Sequence, residues 1–377
     1  TALVSAVSGL TRVAAQCSSR PLFDPTGIAF EDCGQLGSCT GINNNPTSHL
    51  IRTILDDDCG ILAEPVYYGE VFSNTRGGIS TDSATRYHGL LDLPIAFDFA
   101  KMQVPLPGKC FLLAQNTHGR GISEDFVGDT LVLSDIDAFG NVMQIGEYWW
   151  EWGLLGGDVT VRLGKQDVNT EFVFMDSAVD FIQSSFELTP SAGLPSYPLQ
   201  SMAGVVLVQL CESLELKFGV WDAFAKKESW GISNNEVVLL IGELEYKYAL
   251  LDGTLPGTLS LGTGYLSEGM VYGNRLSATL GHAVQLEQQV YRECLDDPDN
   301  FQGLTIFGAY YPRFPGQFVL LDSIGDSAAA GLIYTGLIDQ RDEDVLGAGV
   351  TWAELYQGGT NQETVVEVFY KAQITPC

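Results

Sequence analysis

The chain has 377 residues, 45% of them hydrophobic and 18% charged, with a formal net charge of −28 and a pI near 4.2. That balance excludes nucleic acid as a partner, because phosphate binding needs a basic face. No run approaches the roughly 18 apolar residues that a membrane-crossing helix requires.

Residues 1–60 carry no regular hydrophobic period and hold Cys17, Cys33, Cys39 and Cys59, four of the eight cysteines. Ala2–Ala15 is too weakly apolar for a secretory core, and Pro46–Leu55 suits a short helix. No CxxC pair exists, so a zinc site is not expected, and disulfide connectivity stays open, with Cys33 and Cys39 nearest in sequence. The segment is read as a separate lead, a plug or a periplasmic piece.

From residue 61 onward the pattern changes to period-two alternation. In 91–99, Leu91, Leu93, Ile95, Phe97 and Phe99 oppose Asp92, Pro94, Ala96 and Asp98. In 159–164, Val159, Val161 and Leu163 oppose Thr160, Arg162 and Gly164. In 214–221, Leu214, Leu216, Phe218 and Val220 oppose Glu215, Lys217, Gly219 and Trp221. In 238–248, Val238, Leu240, Leu244, Tyr246 and Tyr248 oppose Leu239, Ile241, Glu243, Glu245 and Lys247. In 366–374, Val366, Val368, Tyr370, Ala372 and Ile374 oppose Glu367, Phe369, Lys371 and Gln373.

About fourteen such strands are expected, near 62–72, 87–99, 109–117, 141–151, 158–164, 202–211, 214–221, 237–248, 258–265, 279–290, 302–311, 327–338, 345–353 and 363–374. Most have the roughly 8 to 12 residues of a tilted strand crossing a bilayer. A charged face buried in a dry core would be very costly, and a water-filled lumen removes that cost. The alternation therefore reads as apolar-out and polar-in, with Arg162 toward water and Val161 toward lipid. The fold class is all-β, a transmembrane antiparallel β-barrel over 61–377.

Connections alternate in length. The long ones, 73–86, 118–140, 165–201, 222–236, 266–278 and 312–326, fall on one side, and short turns such as 152–157 and 212–213 on the other. Outer-membrane barrels put long loops outside and short turns in the periplasm. The 165–201 connection is too long for a compact fold without a functional reason, and folding inward to narrow the barrel is one. Tyr67, Tyr68, Trp149, Trp150, Trp152, Tyr246, Tyr248, Tyr310, Tyr311 and Tyr370 suit interfacial girdles. Ordinary β-propensity gives the same enrichment.

Several segments together resemble the carbohydrate-selective porin (OprB) family. HLIRTILDDDCGILAEPVYYGEVFSNTRGG (49–78) resembles its helix, first strand and first loop. YWWEWGLLGGDVTVRLGKQDVNTEFVFMD (148–176) resembles its central strand pair and the turn opening the third loop, and FIQSSFELTPSAGLPSYP (181–198) the rest of that loop. GLIYTGLIDQRDEDVLGAGVTWAEL (331–355) and ETVVEVFYKAQITP (363–376) resemble its late strands. The resemblance covers roughly 46–376. It implies a sixteen-stranded outer-membrane barrel passing sugars or similar small neutral solutes, set among outer-membrane lipid and lipopolysaccharide in a Gram-negative envelope. It leaves a homo-oligomer open. The chain departs from the pattern in its strand count, in NNPTSHLIR where a glycine- and tryptophan-rich signature is usual, in its cysteines, and in stopping at Cys377, where another hairpin ending in an aromatic is expected.

Sugar selectivity calls for aromatic faces that stack on pyranose rings and for charged groups that bond hydroxyls. The candidates near the third loop are Glu147, Arg162, Lys165, Asp167, Glu171, Glu215, Lys217 and Trp221, with Trp149 as the stacker. Arg162, Glu215 and Lys217 also suit an ion-pair ladder that simply holds the wall. Phe172 and Phe174 read as loop anchors. Catalysis is not expected: His49, His88, His118 and His282 form no metal or hydrolase motif. Glu147 and Glu151 on one strand stand about 13 Å apart, too far for a glycosidase pair. No cofactor is expected, and the acidic runs Asp56–Asp58, Asp296–Asp299 and Asp339–Asp344 read as solvated turns rather than Ca²⁺ sites. Two other readings stay open: a barrel serving as an envelope anchor, closed by its N-terminal segment, and a soluble β-rich carbohydrate-binding protein.

Overall fold

The computed structural model describes residues 3–8, 60–187, 194–251, 253–271, 273–295, 300–313, 324–356 and 361–374. The Cys33–Cys39 pairing, the helix within Pro46–Leu55 and the acidic runs Asp56–Asp58 and Asp296–Asp299 lie outside the described residues.

The strands are β1 (Leu3–Ser8), β2 (Ile61–Ala63), β3 (Val66–Arg76), β4 (Thr85–Asp98), β5 (Lys109–Gly119), β6 (Val142–Leu154), β7 (Val159–Gln166), β8 (Ser201–Cys211), β9 (Leu214–Asp222), β10 (Val238–Leu250), β11 (Leu255–Leu266), β12 (Gly269–Val271), β13 (Asn274–Leu276), β14 (Thr279–Arg292), β15 (Gly303–Tyr311), β16 (Ile324–Thr335), β17 (Val345–Leu355) and β18 (Gln362–Lys371). From β3 to β18 each long strand pairs antiparallel with the next in sequence, and every strand expected from alternation is present. Four short strands lay outside that expectation. The short β2 pairs with β4, and β12–β13 form a hairpin of their own inside a long connection. β1 pairs with β3, Ser5 opposite Ser73 and Val7 opposite Val71, so these residues of the supposed separate lead belong to the sheet.

The faces follow the side-chain period of two. Leu93, Leu163, Phe218, Leu240, Leu261, Leu286, Ile306, Leu332, Val350 and Val366 are exposed on one face, while Asp92, Arg162, Lys217 and Glu243 are buried on the other. An apolar belt this continuous is what a barrel presents to lipid. Connections 77–84, 120–141, 167–200, 223–237, 267–278, 312–323 and 356–361 join strands at one rim, and 99–108, 155–158, 212–213, 251–254, 293–302 and 336–344 join them at the other; every connection longer than ten residues belongs to the first rim. Aromatic pairs mark that second rim: Phe99 on Trp150 at 4.8 Å, Tyr246 on Tyr248 at 5.8 Å and Tyr291 near Tyr334 at 6.3 Å. Trp149 and Tyr311 depart from the girdle expected of them, because both point inward and are buried.

The inner face is not polar throughout. Toward the long-loop rim it is apolar, with Val205, Leu239, Ile241 and Phe307 buried against the third loop. Toward the short-turn rim it carries Glu215, Lys217, Glu245 and Lys247. The second loop (120–141) draws the ends of the sheet together. Leu131 N–H donates to Glu363 on β18 at 2.9 Å, and Ser134 Oγ to Glu70 on β3 at 2.6 Å. Three residues of chain reach at most about 11 Å, so this loop ties β18 to β3, the strand on which β1 is paired.

Candidate functional site

The third loop turns inward at the end of β7. Asp167 starts that turn: its carboxylate accepts Asn169 N–H at 2.8 Å and Tyr197 N–H at 2.7 Å, tying the outgoing and returning limbs. The loop then crosses the lumen along the wall, and wall carboxylates accept its backbone N–H groups in turn. Glu243 takes Val173 at 2.8 Å, Glu287 takes Ser177 at 2.5 Å, and Glu367 takes Ile182 and Gln183 at 3.0 Å each. Lys371 reaches Asp180 at 2.6 Å. The returning limb is held by a glutamine network, with Gln200 donating to Gln115 at 3.0 Å and Gln115 to Asp92 at 3.1 Å. Charge-assisted bonds of this kind are stronger than neutral ones, so the loop is fastened from β5 to β18.

Apolar contacts complete the fastening. Phe172 stands edge-on to Trp221 at 5.4 Å. Phe181 stacks on Phe186 at 4.2 Å and meets Phe307 and Phe369 edge-on at 5.4 and 4.9 Å. The wall beneath is stripped to glycine: a Cβ on Gly349 would lie 2.6 Å from the Phe186 ring and 2.8 Å from Phe181. The anchoring role expected for Phe172 fits its complete burial, and Phe174 is only half-buried.

Below the loop runs a ladder of charges. Arg162 bonds Glu151 at 2.8 Å and Glu171 at 3.0 Å, with its guanidinium 4.2 Å from the centre of the Trp149 ring. Lys217 bonds Glu245 at 2.6 Å, Glu243 at 3.2 Å and the Glu171 carbonyl at 3.0 Å. Lys247 bonds Glu245 at 2.9 Å. Each buried cation thus holds two carboxylates, which offsets the cost of taking its charge out of water. Glu171, a loop residue, joins the two clusters. Glu151, Glu171, Glu245 and Lys247 keep part of their side chains in solvent.

Eight of the nine candidates are gathered around this loop and ladder, Lys165 being the exception, and Arg162, Trp149 and Lys165 stand otherwise than expected. Arg162 points inward but is 2% exposed, covered by the loop rather than facing water. Glu147 is buried and accepts Trp149 Nε1–H and Asp167 N–H, both at 3.3 Å. Glu215 lies opposite Glu245 in the β9–β10 register. Trp221 is buried under Phe172. Trp149 has no free face to stack on a sugar: Phe111 covers one at 4.9 Å and Arg162 sits over the ring. Lys165 is on the outer face. It pairs in register with the outward Tyr148 and Met202, is fully buried, and donates to Ile145 O at 2.7 Å and Ser229 O at 3.0 Å. Glu151, Glu243, Glu245 and Lys247 were missing from the candidates although the β10 three were legible on the inward side of their alternation.

The second loop holds a titrating contact. Asp129 accepts Ser123 Oγ–H at 2.9 Å, and burial pushes its carboxyl up to about 6, opposed by that bond and reinforced by Glu363 and Asp137. An acid raised in the folded state stabilises it fully below its ordinary value near 3.8, and that contribution is lost as pH rises past about 6. Asp129→Asn is therefore expected to melt above the native protein at pH 7 and with it at pH 4. Equal melting temperatures in detergent at both pH values would contradict this.

The family model described as carbohydrate-selective porin, OprB family, matches residues 83–377. A comparison with curated proteins gives no match. Among solved structures, the high-pH structure of Pseudomonas putida OprB is similar with a TM-score of 0.67 and 21% identity, covering 81% of this chain and 77% of that one. The low-pH structure of the same protein gives a TM-score of 0.55 and 19% identity, covering 86% of this chain and 87% of that one. At these identities the likeness concerns the fold.

Proposed function

The chain belongs to the OprB family of carbohydrate-selective porins, and from that premise we propose that its sugars pass between the third loop and the charged ladder beneath it. The protein is an outer-membrane sugar channel, and the family and fold are those of channels rather than enzymes. Residues 61–377, with β1 paired on β3, make up the barrel domain of this reading.

The observation that carries the proposal is the fastening of 167–200 inside the barrel by carboxylates on β10, β14 and β18. A loop tied at so many points narrows the lumen permanently rather than flapping over its mouth. The path it leaves is bordered by the partly solvated Glu151, Glu171, Glu245 and Lys247, which offer both acceptors and donors to sugar hydroxyls. Arg162 and Lys217 act behind them as positioning residues. Because Trp149 is sandwiched, this reading gives hydrogen bonding the larger share of selectivity and ring stacking the smaller.

Liposome swelling tests the proposal. Vesicles carrying the protein should swell faster in a neutral monosaccharide than in a disaccharide. Glu171→Gln should slow monosaccharide entry while conductance to small ions persists. Swelling no faster than in empty liposomes would overturn the path.

A further inference from the structure

The wall has a notch. The β6–β7 pairs run from Leu154 opposite Val159 to Tyr148 opposite Lys165, whereas β6 continues to Val142 at the long-loop rim. The stretch of β6 above Tyr148 therefore extends past the end of β7, where the chain leaves to become the third loop. In lipid every backbone polar group needs a partner. The fourth loop (223–237) supplies them. Glu228 accepts Met143 N–H at 3.0 Å, and Lys165 joins Ile145 O to Ser229 O. Tyr148 donates to Trp230 O at 2.7 Å, and Met202 N–H to Gly231 O at 2.8 Å. Gly231 has φ of 80°, and a Cβ there would lie 2.9 Å from the Lys165 stem.

This patch shows an unusual outward surface. Trp230 is 71% exposed and Ile232 67%, on a segment tied to the outward Tyr148 at Trp230 and to Met143 N–H through Glu228. They extend the lipid-facing belt up to the long-loop rim. Just before them stand Lys226 and Lys227, the one adjacent pair of cations in a sequence with 19 Lys and Arg against 47 Asp and Glu. Lys227 holds the second loop through Ala138 O at 2.8 Å, and Lys226 is exposed. Exposed aromatic and aliphatic side chains level with the outward Tyr148, with ammonium groups earlier in the segment on its rim side, match an amphiphile with acyl chains and a phosphate headgroup.

We propose that the segment 226–232 is a docking site for a phosphorylated lipid of the outer leaflet. Trp230 and Ile232 enter the acyl layer, and Lys226 meets the phosphate. The inference rests on the reading of the wall as lipid-facing and of the long-loop rim as external, and it is independent of the sugar path.

Two measurements on the intact protein test it. In nanodiscs of phosphatidylcholine brominated on its acyl chains, the emission lost on Trp230→Phe should be quenched several-fold relative to unbrominated lipid. In native mass spectrometry with added bisphosphorylated lipid A, Lys226→Gln should retain several-fold fewer lipid adducts, with phosphatidylcholine adducts unchanged. Unquenched Trp230 emission, equal lipid A retention, or dimers captured by cross-linking at position 230 would overturn the proposal; the last would assign the face to a second copy. Both variants should keep native swelling in sugar. Absence of swelling in the native protein itself would strike the channel path and leave the lipid result to stand or fall separately.

Discussion

Lys217→Met lowers the stability of the barrel by about 3–5 kcal/mol and loosens the third loop. Lys217 is nearly buried, and so is its partner Glu243. Removing the cation leaves Glu243 with Val173 N–H but no counter-charge, and Glu245 with Lys247 alone. The Glu171 carbonyl also loses its bond, so the loop is loosened at the point where both charge clusters meet and hangs there on Arg162. A second variant separates the two effects. In Lys217→Met/Glu243→Gln the buried charge is gone, so much of the stability should return, while the Glu171 carbonyl stays without its bond and Arg162 alone holds that residue to the ladder. Urea unfolding from lipid vesicles measures the first effect, and open-channel current noise the second. A loss below about 1 kcal/mol, the size of an exposed ion pair, would show that water reaches this cluster freely.

Phe181→Ala/Phe186→Ala loosens the far end of the third loop and widens the pore. Truncating one buried phenylalanine costs about 3–5 kcal/mol. These two rings touch each other, so their losses do not simply add. With both gone, the loop keeps its polar ties to Glu367 and Lys371 but loses its packing on Phe307 and Phe369. The expected result is a larger single-channel conductance and a smaller difference between monosaccharide and disaccharide entry. Gly349→Leu approaches the same contact from the wall and should give the same phenotype, because its side chain takes the space of the two rings. Unchanged conductance in both variants would mean that the loop does not set the width of the path.

The strands were legible because a lipid-facing wall forces apolar residues onto every second position. Leu93, Phe218, Leu240 and Val366 report that wall directly. The long connections were legible for a related reason: only one rim can tolerate long excursions. The inner face was harder. Alternation says that Leu239 and Ile241 point inward, but not that a loop from residues 168–194 will cover them. The same limit applies to Trp149, whose two faces are filled by Phe111 from β5 and Arg162 from β7. Lys165 was misplaced because a charge near the end of a strand looks like a lumen residue. Its partners, Ile145 O and Ser229 O, come from a strand edge and a distant loop that no local pattern joins to it. The β1 pairing was missed because Leu3–Ser8 is short and lies in a stretch without alternation.

The central claim is that sugar passes, and is held, between the fastened third loop and the ladder at Glu151, Glu171, Glu245 and Lys247. Titration of a single reconstituted channel with a neutral monosaccharide tests it most directly. Sugar occupying a narrow path displaces ions, so the current should fall saturably with concentration, and Glu171→Gln should shift the half-point upward. A current that falls only in proportion to the viscosity of the solution, alike in both proteins, would contradict it.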